Sequence, residues 1–555
     1  MELNGAQIIV EVLLEQGVDT VFGYPGGAVL NIYDALYQYS DRIRHIMTAH
    51  EQGASHAADG YSRSTGKTGV VIATSGPGAT NLVTGIATAY MDSVPMVAIT
   101  GNVAMPLLGR DSFQEVDITG ITMPVTKHNF IIKDIRDLAP TLRQAFEIAN
   151  SGRKGPVLVD VPKDMTAAVT EYTRQAAVKP YPNRPLKENR VKEAVQLLQK
   201  AKKPFIYAGG GVISAGASKE LLQLAEKMQI PVACSLMGLG GFPHNHPLFA
   251  GFVGMHGTFE ANKAIDCCDV LLTAGARFSD RVAGNREKFA ENAKIIQIDI
   301  DSAEIDKNVA TAMHITGDLK EVLGRLEQAL EPVSRPEWLA QVRKWKKEES
   351  VPVQGDVLRA KDIIECVNEL AGDDAIIATD VGQHQMWTAQ YYHFNRPRSF
   401  CTSGGLGTMG YGMGAAIGAQ AGNPDKRVVL FSGDGSFHMN LNELATLASY
   451  EFPVIVIVMN NQVLGMVRQW QKVFYGSRFS STDPHRKTDF VRLAEAFGVT
   501  GMRMETPEQM RPVLKQAFAL KKSVVIDCCI SKNENVLPMI PPGGTVEDII
   551  EMMDC

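Results

Sequence analysis

Phe431-Ser432-Gly433-Asp434-Gly435-Ser436 ends a short apolar run, Val428 to Phe431, that is typical of a buried strand in a parallel sheet. The pattern predicts a helix over Leu441 to Ser449 and a second strand over Val454 to Met459. That second strand leads directly into Asn460-Asn461. Because the carboxyl ends of parallel strands meet at one edge of a sheet, both polar segments are expected to face the same ligand.

The chemistry of these two segments suits a metal-bound diphosphate. Glycines in the first segment let a ligand approach the backbone, and aspartate and asparagine side chains offer the oxygen atoms that Mg²⁺ prefers. A Gly-Asp-Gly triplet alone is more often a turn, but its spacing to Asn-Asn resembles the thiamine diphosphate motif of many decarboxylases and carboligases. The resemblance implies that Asp434, Asn461 and the main-chain carbonyl of Val463 hold the metal.

Length and composition indicate a multidomain protein with small substrates. A chain of 555 residues with 45% hydrophobic content is too long for one ordinary domain, and three domains are expected. The net charge of −6, without a dense Lys/Arg cluster, argues against nucleic acid or an anionic membrane surface as partner. Eight cysteines without a C-x-x-C pattern are interpreted as reduced core residues. No apolar run reaches membrane-spanning length and no targeting segment precedes the first helical pattern, so we expect a cytoplasmic protein.

Apolar strand-like runs alternate with helical ones along the whole chain, which predicts an α/β fold of three doubly wound parallel-sheet domains. Segments rich in proline and charge over residues 171–190 and 331–356 are interpreted as linkers. The predicted domains are therefore residues 1–180, 190–335 and 357–555.

The first and third domains share a pattern. Thr74-Ser75-Gly76-Pro77-Gly78, then a helix and a strand that follows Val94-Pro95, parallels the 431–435 segment with nearly equal spacing. We interpret the two domains as copies of one unit, of which only the later copy has a metal-binding aspartate. The earlier copy is expected to bind another part of the cofactor.

Glu51, in His50-Glu51-Gln52-Gly53-Ala54, opens a predicted helix over Gln52 to Arg63. An acidic residue at this position is commonly explained by helix-start electrostatics. Beside a thiamine diphosphate motif the interpretation changes, because forming the reactive C2 carbanion requires a carboxylic acid that relays a proton through the aminopyrimidine ring. The segment resembles the catalytic-glutamate segment of that enzyme family, so we predict that Glu51 is catalytic.

Further segments narrow the resemblance to one family. The chain is similar to the catalytic subunit of the acetohydroxyacid synthase family, also called acetolactate synthases, and the segments that support this are 22–28, 50–54, 74–81, 113–115, 407–410 and 465–470. The resemblance implies decarboxylation of pyruvate and transfer of the hydroxyethyl carbanion to a second 2-ketoacid. Pyruvate as acceptor gives 2-acetolactate and 2-ketobutyrate gives 2-aceto-2-hydroxybutyrate, at the branch point of valine, leucine and isoleucine biosynthesis.

The resemblance also implies roles for individual residues at the thiamine site. The diphosphate is expected to contact Gln383, His384, Gly433, Gly435 and Ser436. Met409 is expected to offer its carbonyl to the aminopyrimidine, and Met466 to hold the cofactor bent, although an isolated methionine is more often a core residue. Gly27 and Gln114 are placed near the reacting carbons, as donors to the developing oxyanion.

Arg281 and Trp470 are the expected substrate residues. A guanidinium binds a ketoacid carboxylate in a bidentate way, and an indole beside it shapes a pocket for the extra methyl group of the acceptor. Their ordinary roles are a surface ion pair and a core anchor, and the family resemblance favours the pocket. Phe113 and Lys163 are placed in the same pocket by resemblance.

The middle domain has a strand followed by Gly209-Gly210-Gly211, a pattern related to dinucleotide binding, although the G-x-G-x-x-G fingerprint is absent. It resembles the FAD-binding domain of the anabolic synthases, which implies FAD contacts from Gly209, Gly210, Gly211, His256, Arg277, Asp280, Asp299 and Asp318. Asp301 is a rival for the role of Asp299. Ser279 and Ala283 depart from the usual family string RFDDRVTG, which leaves FAD expected and its affinity open. The reaction has no net redox step, so FAD is expected to be structural.

Three alternatives remain open on sequence grounds. A catabolic, FAD-independent acetolactate synthase would not be expected to keep the segment 277–284, and a pyruvate oxidase would pass electrons to FAD. A nucleotide-binding regulatory protein without catalysis would be expected to lack Glu51 or Asp434, and both are present. The resemblance further implies a homodimer or homotetramer, with the active site between two chains, and a small regulatory subunit.

Overall fold

The computed structural model describes residues 1–346 and 357–552, and in this part of the chain three six-stranded parallel sheets follow one another. The first sheet has the strand order β3-β2-β4-β5-β7-β6, and a short antiparallel pair, β1 with β8, lies beside it. Its elements are β1 Glu2–Asn4, α1 Gly5–Glu15, β2 Thr20–Gly23, α2 Leu30–Gln38, β3 Arg44–Met47, α3 Glu51–Thr65, β4 Gly69–Ala73, α4 Pro77–Asn81, α5 Val83–Met91, β5 Met96–Asn102, α6 Ile118–Thr122, β6 His128–Ile131, α7 Ile135–Asn150, β7 Pro156–Pro162, α8 Lys163–Ala167 and β8 Val169–Glu171.

The middle sheet has the order β11-β10-β9-β12-β13-β14, so its strands run 3-2-1-4-5-6 in order of appearance. This is the order of dinucleotide-binding sheets, in which the ligand crevice lies where the order reverses, between strands 1 and 4. Its elements are α9 Glu188–Lys200, β9 Pro204–Ala208, α10 Gly210–Ser214, α11 Ser218–Met228, β10 Val232–Cys234, β11 Phe249–Phe252, α12 Phe259–Cys267, β12 Val270–Ala274, β13 Lys294–Asp299, β14 Met313–Thr316, α13 Leu319–Ala329 and α14 Pro336–Trp345.

The third sheet has the order β16-β15-β17-β18-β20-β19. Numbered by appearance, the first and third sheets both run 2-1-3-4-6-5, and this supports the prediction that the two domains are copies of one unit. Its elements are α15 Ala360–Ala371, β15 Ile376–Thr379, α16 Gln383–Tyr391, β16 Phe400–Cys401, α17 Tyr411–Gly422, β17 Val428–Gly433, α18 Asp434–Asn440, α19 Leu444–Ser449, β18 Ile455–Asn460, α20 Gly465–Phe474, α21 Phe490–Ala496, β19 Thr500–Met504, α22 Pro507–Ala519 and β20 Val524–Cys529.

The segment predicted as a second linker, 331–356, differs from that expectation where it is described. Residues 336–345 form α14, and Trp338 is buried and donates its indole N–H to the carbonyl of Pro204, 2.8 Å away. An apolar face at helical spacing within a charged stretch therefore packs on the middle domain. Residues 347–356 of the predicted linker lie outside the described residues.

The first and third domains pack through α3 and α17. Small residues let the two helices approach closely: a Cβ at Gly60 would lie 2.6 Å from the Cα of Ala415, and one at Gly414 would lie 2.7 Å from the Cβ of His56. Such contacts leave no room for larger side chains, so the two predicted copies form one body. In the described part of the chain, no helix is long and apolar enough to cross a membrane.

Candidate active site

The third sheet brings the predicted diphosphate residues together at the reversal of its strand order. β15 and β17 are neighbours, and the segments that follow them contain His384 and Gly433. A Cβ at Gly433 would lie 2.8 Å from Nδ1 of His384, so only glycine leaves this space open. The Nε2 atom of His384 is buried and has no hydrogen-bond partner in residues 1–346 and 357–552, and burial lowers the pKa of this histidine to about 3. A neutral imidazole whose Nε2 has no protein partner is suited to a hydrogen bond with a phosphate oxygen of a bound ligand.

Asp434 begins α18 and is 5% exposed. Burial raises the pKa of this carboxyl to about 7, and the nearby Arg486 offsets this effect only in part. Asn461 and Val463 lie on the loop after β18, where the Val463 N–H donates to Oδ1 of Asn461 at 3.2 Å. The described residues contain no group of three or more His, Cys, Asp or Glu side chains suited to a metal. A carboxylate with amide and main-chain oxygens is instead the kind of oxygen set that suits Mg²⁺.

Gln383 is bonded to other protein groups. Its Nε2 donates to Oε1 of Gln469 and to the carbonyl of Glu534, both at 3.0 Å, and its Oε1 accepts from Nδ2 of Asn461 at 3.2 Å. The side chain therefore braces the predicted metal loop against α20. Its predicted contact with the diphosphate stays a prediction.

The remaining predicted thiamine contacts of the third domain line the same edge. The Ser436 hydroxyl donates to the carbonyl of Val381 at 2.8 Å, and a Cβ at Gly435 would lie 2.6 Å from a methyl group of Leu464. Met466 is half-buried in the first turn of α20 and packs against the core. The backbone at Gly433 and Gly435 is therefore closely packed against the side chains of His384 and Leu464.

The backbone that follows Met409 is held by Asp380, a residue that was not predicted from the sequence. Gly410 has φ +89°, its N–H donates to Oδ1 of Asp380 at 2.7 Å, and its carbonyl accepts from Nδ2 of Asn440. Asp380 also accepts the Gly412 N–H at 3.3 Å, and burial raises the pKa of its carboxyl to about 6. These contacts fix the direction of the Met409 carbonyl. The sequence signal that could have identified Asp380 is its position directly after the strand β15.

The first sheet presents its own predicted residues at the equivalent reversal, between β2 and β4. Gly27 follows β2 and a Cβ there would meet nothing within 4 Å, so this position faces open space. Gly76 has φ +60° and lies against the backbone of Gln114, which itself has φ +59°. Phe113 is 87% exposed, and Lys163 is exposed at the start of α8. Gln114 therefore contacts Gly76, whereas Phe113 and Lys163 are exposed at the surface of the first domain.

Glu51 is the first residue of α3, where His50 is the N-cap. Its Oε2 accepts from Nδ2 of Asn81 at 3.0 Å, which holds the carboxylate over α4. Glu443 of the third domain accepts the N–H groups of Ala49 and His50, each at 3.1 Å, and burial raises the pKa of its carboxyl. The third domain therefore supports the backbone directly before Glu51. Neither Asn81 nor Glu443 was predicted from the sequence.

Arg281 and Trp470 meet although they belong to different domains. The guanidinium carbon of Arg281 lies 5.5 Å from the centre of the Trp470 ring, within the range of a cation–π contact. The guanidinium stays largely exposed, as a carboxylate-binding group requires. A small pocket of about 60 Å³ opens beside Arg281, and its lining includes Ile540 and Gly544 of the carboxyl-terminal segment but not Trp470.

The middle sheet places the predicted FAD glycines at its reversal point, between β9 and β12. A Cβ at Gly211 would lie 2.7 Å from the Cα of Gly275, and one at Gly210 would lie 3.3 Å from Cβ of Met237. The two loops therefore cross so closely that side chains are excluded. His256 follows β11, is 5% exposed, and its Nδ1 has no hydrogen-bond partner among the described residues, which fits a polar ligand.

The predicted acidic FAD contacts have protein roles of their own. Asp299 accepts the Asp301 N–H at 2.9 Å, and burial raises the pKa of Asp299 to about 6. Asp318 is the N-cap of α13, and Asp301 accepts the Ala303 N–H at 3.0 Å. Asp280 is exposed beside Arg281. Both Asp299 and its rival Asp301 are half-buried, but only Asp299 belongs to a strand, as the last residue of β13.

Comparison with known proteins identifies all three domains. The chain matches three thiamine pyrophosphate enzyme family models: the N-terminal TPP binding domain over residues 3–121, the central domain over 191–326 and the C-terminal TPP binding domain over 380–528. Each match covers most of one sheet, although the first ends before β6 and the third begins after β15, and the first and third contain residues of the predicted thiamine site.

Several curated proteins resemble the chain along nearly its full length. The chain is 48% identical to a probable acetolactate synthase large subunit of Methanocaldococcus jannaschii, a match that covers 99% of the chain and 95% of the relative. It is 45% identical to the acetolactate synthase large subunit of Haemophilus influenzae and 43% identical to the acetolactate synthase isozyme 3 large subunit of Escherichia coli. Both of these matches cover 99% of the chain and 98% of the relative.

Proposed function

Because this chain belongs to the acetolactate synthase large-subunit family of thiamine pyrophosphate enzymes, we propose that it joins two 2-ketoacids with loss of CO₂. Two pyruvates give 2-acetolactate, and pyruvate with 2-ketobutyrate gives 2-aceto-2-hydroxybutyrate. The observation that carries the proposal is the edge of the third sheet, where the buried carboxyl of Asp434 and the imidazole of His384, which lies against Gly433, come together.

Thiamine diphosphate, when bound, supplies a carbon nucleophile that adds to a ketone and accepts the electron pair released with CO₂. His384 and the glycine backbone at 433–435 bind the diphosphate, and Asp434, Asn461 and Val463 hold Mg²⁺. Glu51 donates a proton to the aminopyrimidine and recovers it, and the Asn81 amide keeps its carboxylate in place. The Met409 carbonyl would accept a hydrogen bond from the amino group of the aminopyrimidine, and Met466 would support the cofactor from α20.

The second half of the reaction depends on the acceptor pocket. Arg281 binds the carboxylate of the incoming ketoacid, and the Trp470 ring packs against its alkyl group. Gly27 and Gln114 donate hydrogen bonds to the oxygen that gains charge as the new C–C bond forms. Phe113 and Lys163, exposed at the edge of the first domain, would contribute to the pocket once a second copy of the chain covers that edge.

FAD is proposed to bind the middle domain as a structural group. The crossing of Gly211 over Gly275, the unpartnered nitrogen of His256 and the strand order support this assignment. Arg277 supplies positive charge for the diphosphate of FAD. The proposed reaction has no net redox step, so the isoalloxazine need not exchange electrons.

We further propose that two copies of the chain complete each site. The residues beside Gly27, Met409 and Met466 include exposed apolar side chains, which a second copy would cover; examples are Phe113 at 87%, Met439 at 55%, Val467 at 51% and Leu406 at 43% exposure. Glu51 of one chain is proposed to serve the Asp434 site of the other, in a homodimer or homotetramer. A monomer with full turnover contradicts this. The relatives are named large subunits, which supports a small regulatory partner.

A product assay on the purified chain tests the proposed function. The chain is incubated with pyruvate, Mg²⁺ and thiamine diphosphate, with and without FAD, and acetolactate, acetaldehyde and peroxide are measured. FAD-dependent acetolactate is expected. FAD-independent acetolactate would indicate a catabolic synthase, and peroxide would indicate a pyruvate oxidase; the names of the relatives do not favour either alternative.

A further inference from the structure

The loop 403–408 leads directly into Met409, and it is held by a residue of the first domain. Asp92 lies just after α5, and its two carboxylate oxygens accept the N–H groups of Gly404 and Gly405 at 3.0 and 2.7 Å. Both bonds are made by one side chain to two successive backbone groups, so the carboxylate fixes the orientation of the loop as well as its position.

The same carboxylate is part of a buried ion cluster. The side chain of Asp92 has no exposed surface, and Nη2 of Arg63 donates to it at 2.9 Å. Arg63 also binds Asp59, at 2.5 Å. A second contact between the same elements joins the hydroxyls of Thr88 and Thr408 at 2.8 Å. Removing one partner from a buried cluster of this kind is expected to perturb the loop, because a compensated charge becomes unpaired.

The middle domain reaches the same junction from the FAD side. Nη2 of Arg277 donates to the carbonyl of Met91, directly before Asp92, at 2.7 Å. The side chain of Met237 lies between the two sites: a Cβ at Gly404 would meet its Cγ at 3.0 Å, and one at Gly210 would meet its Cβ at 3.3 Å. The loop before Met409 is therefore linked to the glycine loop through Met237, and to the arginine assigned to FAD through Asp92 and the adjacent Met91 carbonyl.

We propose that Asp92 is a positioning residue that transmits the occupancy of the FAD site to the carbonyl of Met409. This inference rests on the proposed function. FAD fixes Arg277 and the loop around Gly210, these hold the end of α5 and Met237, and Asp92 holds the loop 403–408 in the geometry that the aminopyrimidine requires. FAD then contributes to the thiamine site without taking part in electron transfer.

Such a junction predicts reciprocal binding. If FAD tightens the binding of thiamine diphosphate by some factor, thiamine diphosphate must tighten the binding of FAD by the same factor. Couplings of this kind are commonly fivefold or larger. The expected ratio for the natural chain is therefore at least about fivefold, measured in either direction.

Titration of FAD followed by flavin fluorescence gives this ratio directly. The dissociation constant of FAD is measured for the full chain with and without saturating thiamine diphosphate and Mg²⁺, and then for Asp92→Asn. The variant is expected to bind each cofactor alone but to show a ratio of about one. A variant that keeps the ratio of the natural chain overturns the proposal. Glu15→Gln breaks another buried ion pair of the first domain, with Arg143 at 2.8 Å, and is expected to keep the full ratio.

If Asp92→Asn does not fold, Thr88→Val tests the same junction, because it removes the hydroxyl contact to Thr408 together with only a local hydrogen bond to the carbonyl of Thr84 within α5. It is expected to lower the ratio and to slow the exchange of the C2 proton of bound thiamine diphosphate, and an unchanged ratio and exchange rate overturn the proposal. The two levels of inference fail differently. A natural chain that binds neither cofactor contradicts the proposed function, whereas one that binds both with a ratio of one contradicts only the coupling.

Discussion

The guanidinium of Arg281 lies 5.5 Å from the centre of the Trp470 ring, across the boundary between the middle and third domains. Arg281 is mostly exposed, whereas Trp470 is half-buried and also packs edge-on against Phe474 at 5.3 Å. One residue thus offers charge to a substrate while the other limits the space beside it. The acceptor pocket depends on how these two domains are held together.

Trp470→Leu should keep the formation of acetolactate and weaken the preference for 2-ketobutyrate. The smaller side chain loses contact with the extra methyl group, and one methyl group is worth about 1 to 3 kcal/mol of discrimination. The measurement is the ratio of the two products when both ketoacids compete. Trp345→Leu, on the remote helix α14, should leave the ratio unchanged; an unchanged ratio in Trp470→Leu would mean that the indole serves only packing.

Glu51→Gln should bind thiamine diphosphate and lose most of the exchange of its C2 proton. The amide can still accept the hydrogen bond from Asn81, but it cannot relay a proton, so exchange should slow by about 100-fold or more. Exchange is followed by NMR after transfer into D₂O. Glu11→Gln alters another partly buried carboxylate of this domain and serves as the control. Exchange at the natural rate in Glu51→Gln would remove this residue from the mechanism.

Asp434→Asn should weaken Mg²⁺ binding in the presence of thiamine diphosphate by about tenfold or more, since even outer-shell changes at metal sites commonly cost that much. The substitution removes the only charged group among the three proposed ligands. Equilibrium dialysis against graded Mg²⁺ measures the loss. Asp425→Asn changes an exposed aspartate of the same domain, and equal affinities in the two variants would rule Asp434 out as a ligand.

Gly211→Ala should abolish FAD binding while the thiamine site still accepts its cofactor. The new methyl group would lie 2.7 Å from the Cα of Gly275 and push the two loops apart. Gly324→Ala is the matched control in the same domain, because a Cβ there meets nothing within 4 Å and replaces a glycine inside α13. That control should be stabilised by about 0.5 to 1 kcal/mol and bind FAD normally. Normal flavin binding in Gly211→Ala would place FAD elsewhere.

Asp380→Asn should make the stability of the protein less dependent on pH. Burial raises the pKa of Asp380 from 3.8 to about 6, so the folded chain holds this proton more tightly than the unfolded chain. The resulting stabilisation is complete below the unfolded pKa of 3.8 and is lost as the pH rises through about 6. The loss is on the order of 3 kcal/mol, at about 1.4 kcal/mol per pKa unit.

Thermal unfolding from pH 4 to pH 7 tests this sign. The natural chain should lose apparent stability relative to Asp380→Asn over that interval, and a gain would contradict the assignment. Asp373→Asn, at an exposed position, should follow the natural chain.

The elements that could be predicted from the sequence are those with a continuous run of apolar residues, such as the buried strands of the third sheet. The strands expected at Val428 to Phe431 and Val454 to Met459 correspond to β17 and β18. The helix expected over Leu441 to Ser449 is observed as α19, which begins at Leu444 after a short 3-10 turn. The separate helix α18 before it was not predicted, because its first turn contains Gly435 and Ser436, which are weak helix formers and carry no apolar period. The edge strands β3 and β6 were not predicted, since each has only one neighbour and several polar residues.

The candidate site was predicted where a motif concentrates its chemistry, as at Asp434 and Glu51. The side chains that position the site backbone, Asp380 and Glu443, were not predicted from the sequence. Asp380 contacts Gly410 thirty residues later, and Glu443 contacts His50 from 393 residues away. Pairings over such distances have no local pattern, so an isolated aspartate or glutamate in the sequence gives no indication of its partner.

The packing of α3 against α17 has a consequence during protein synthesis. The Tyr411 hydroxyl donates to Asp59 at 2.6 Å, and the two residues are 352 positions apart. At 5 to 20 residues per second, the ribosome needs roughly 20 to 70 s to supply the second helix after the first has emerged. Through that interval the small-residue face of α3 lacks its partner, so the nascent first domain is an expected client of chaperones that bind near the ribosomal exit.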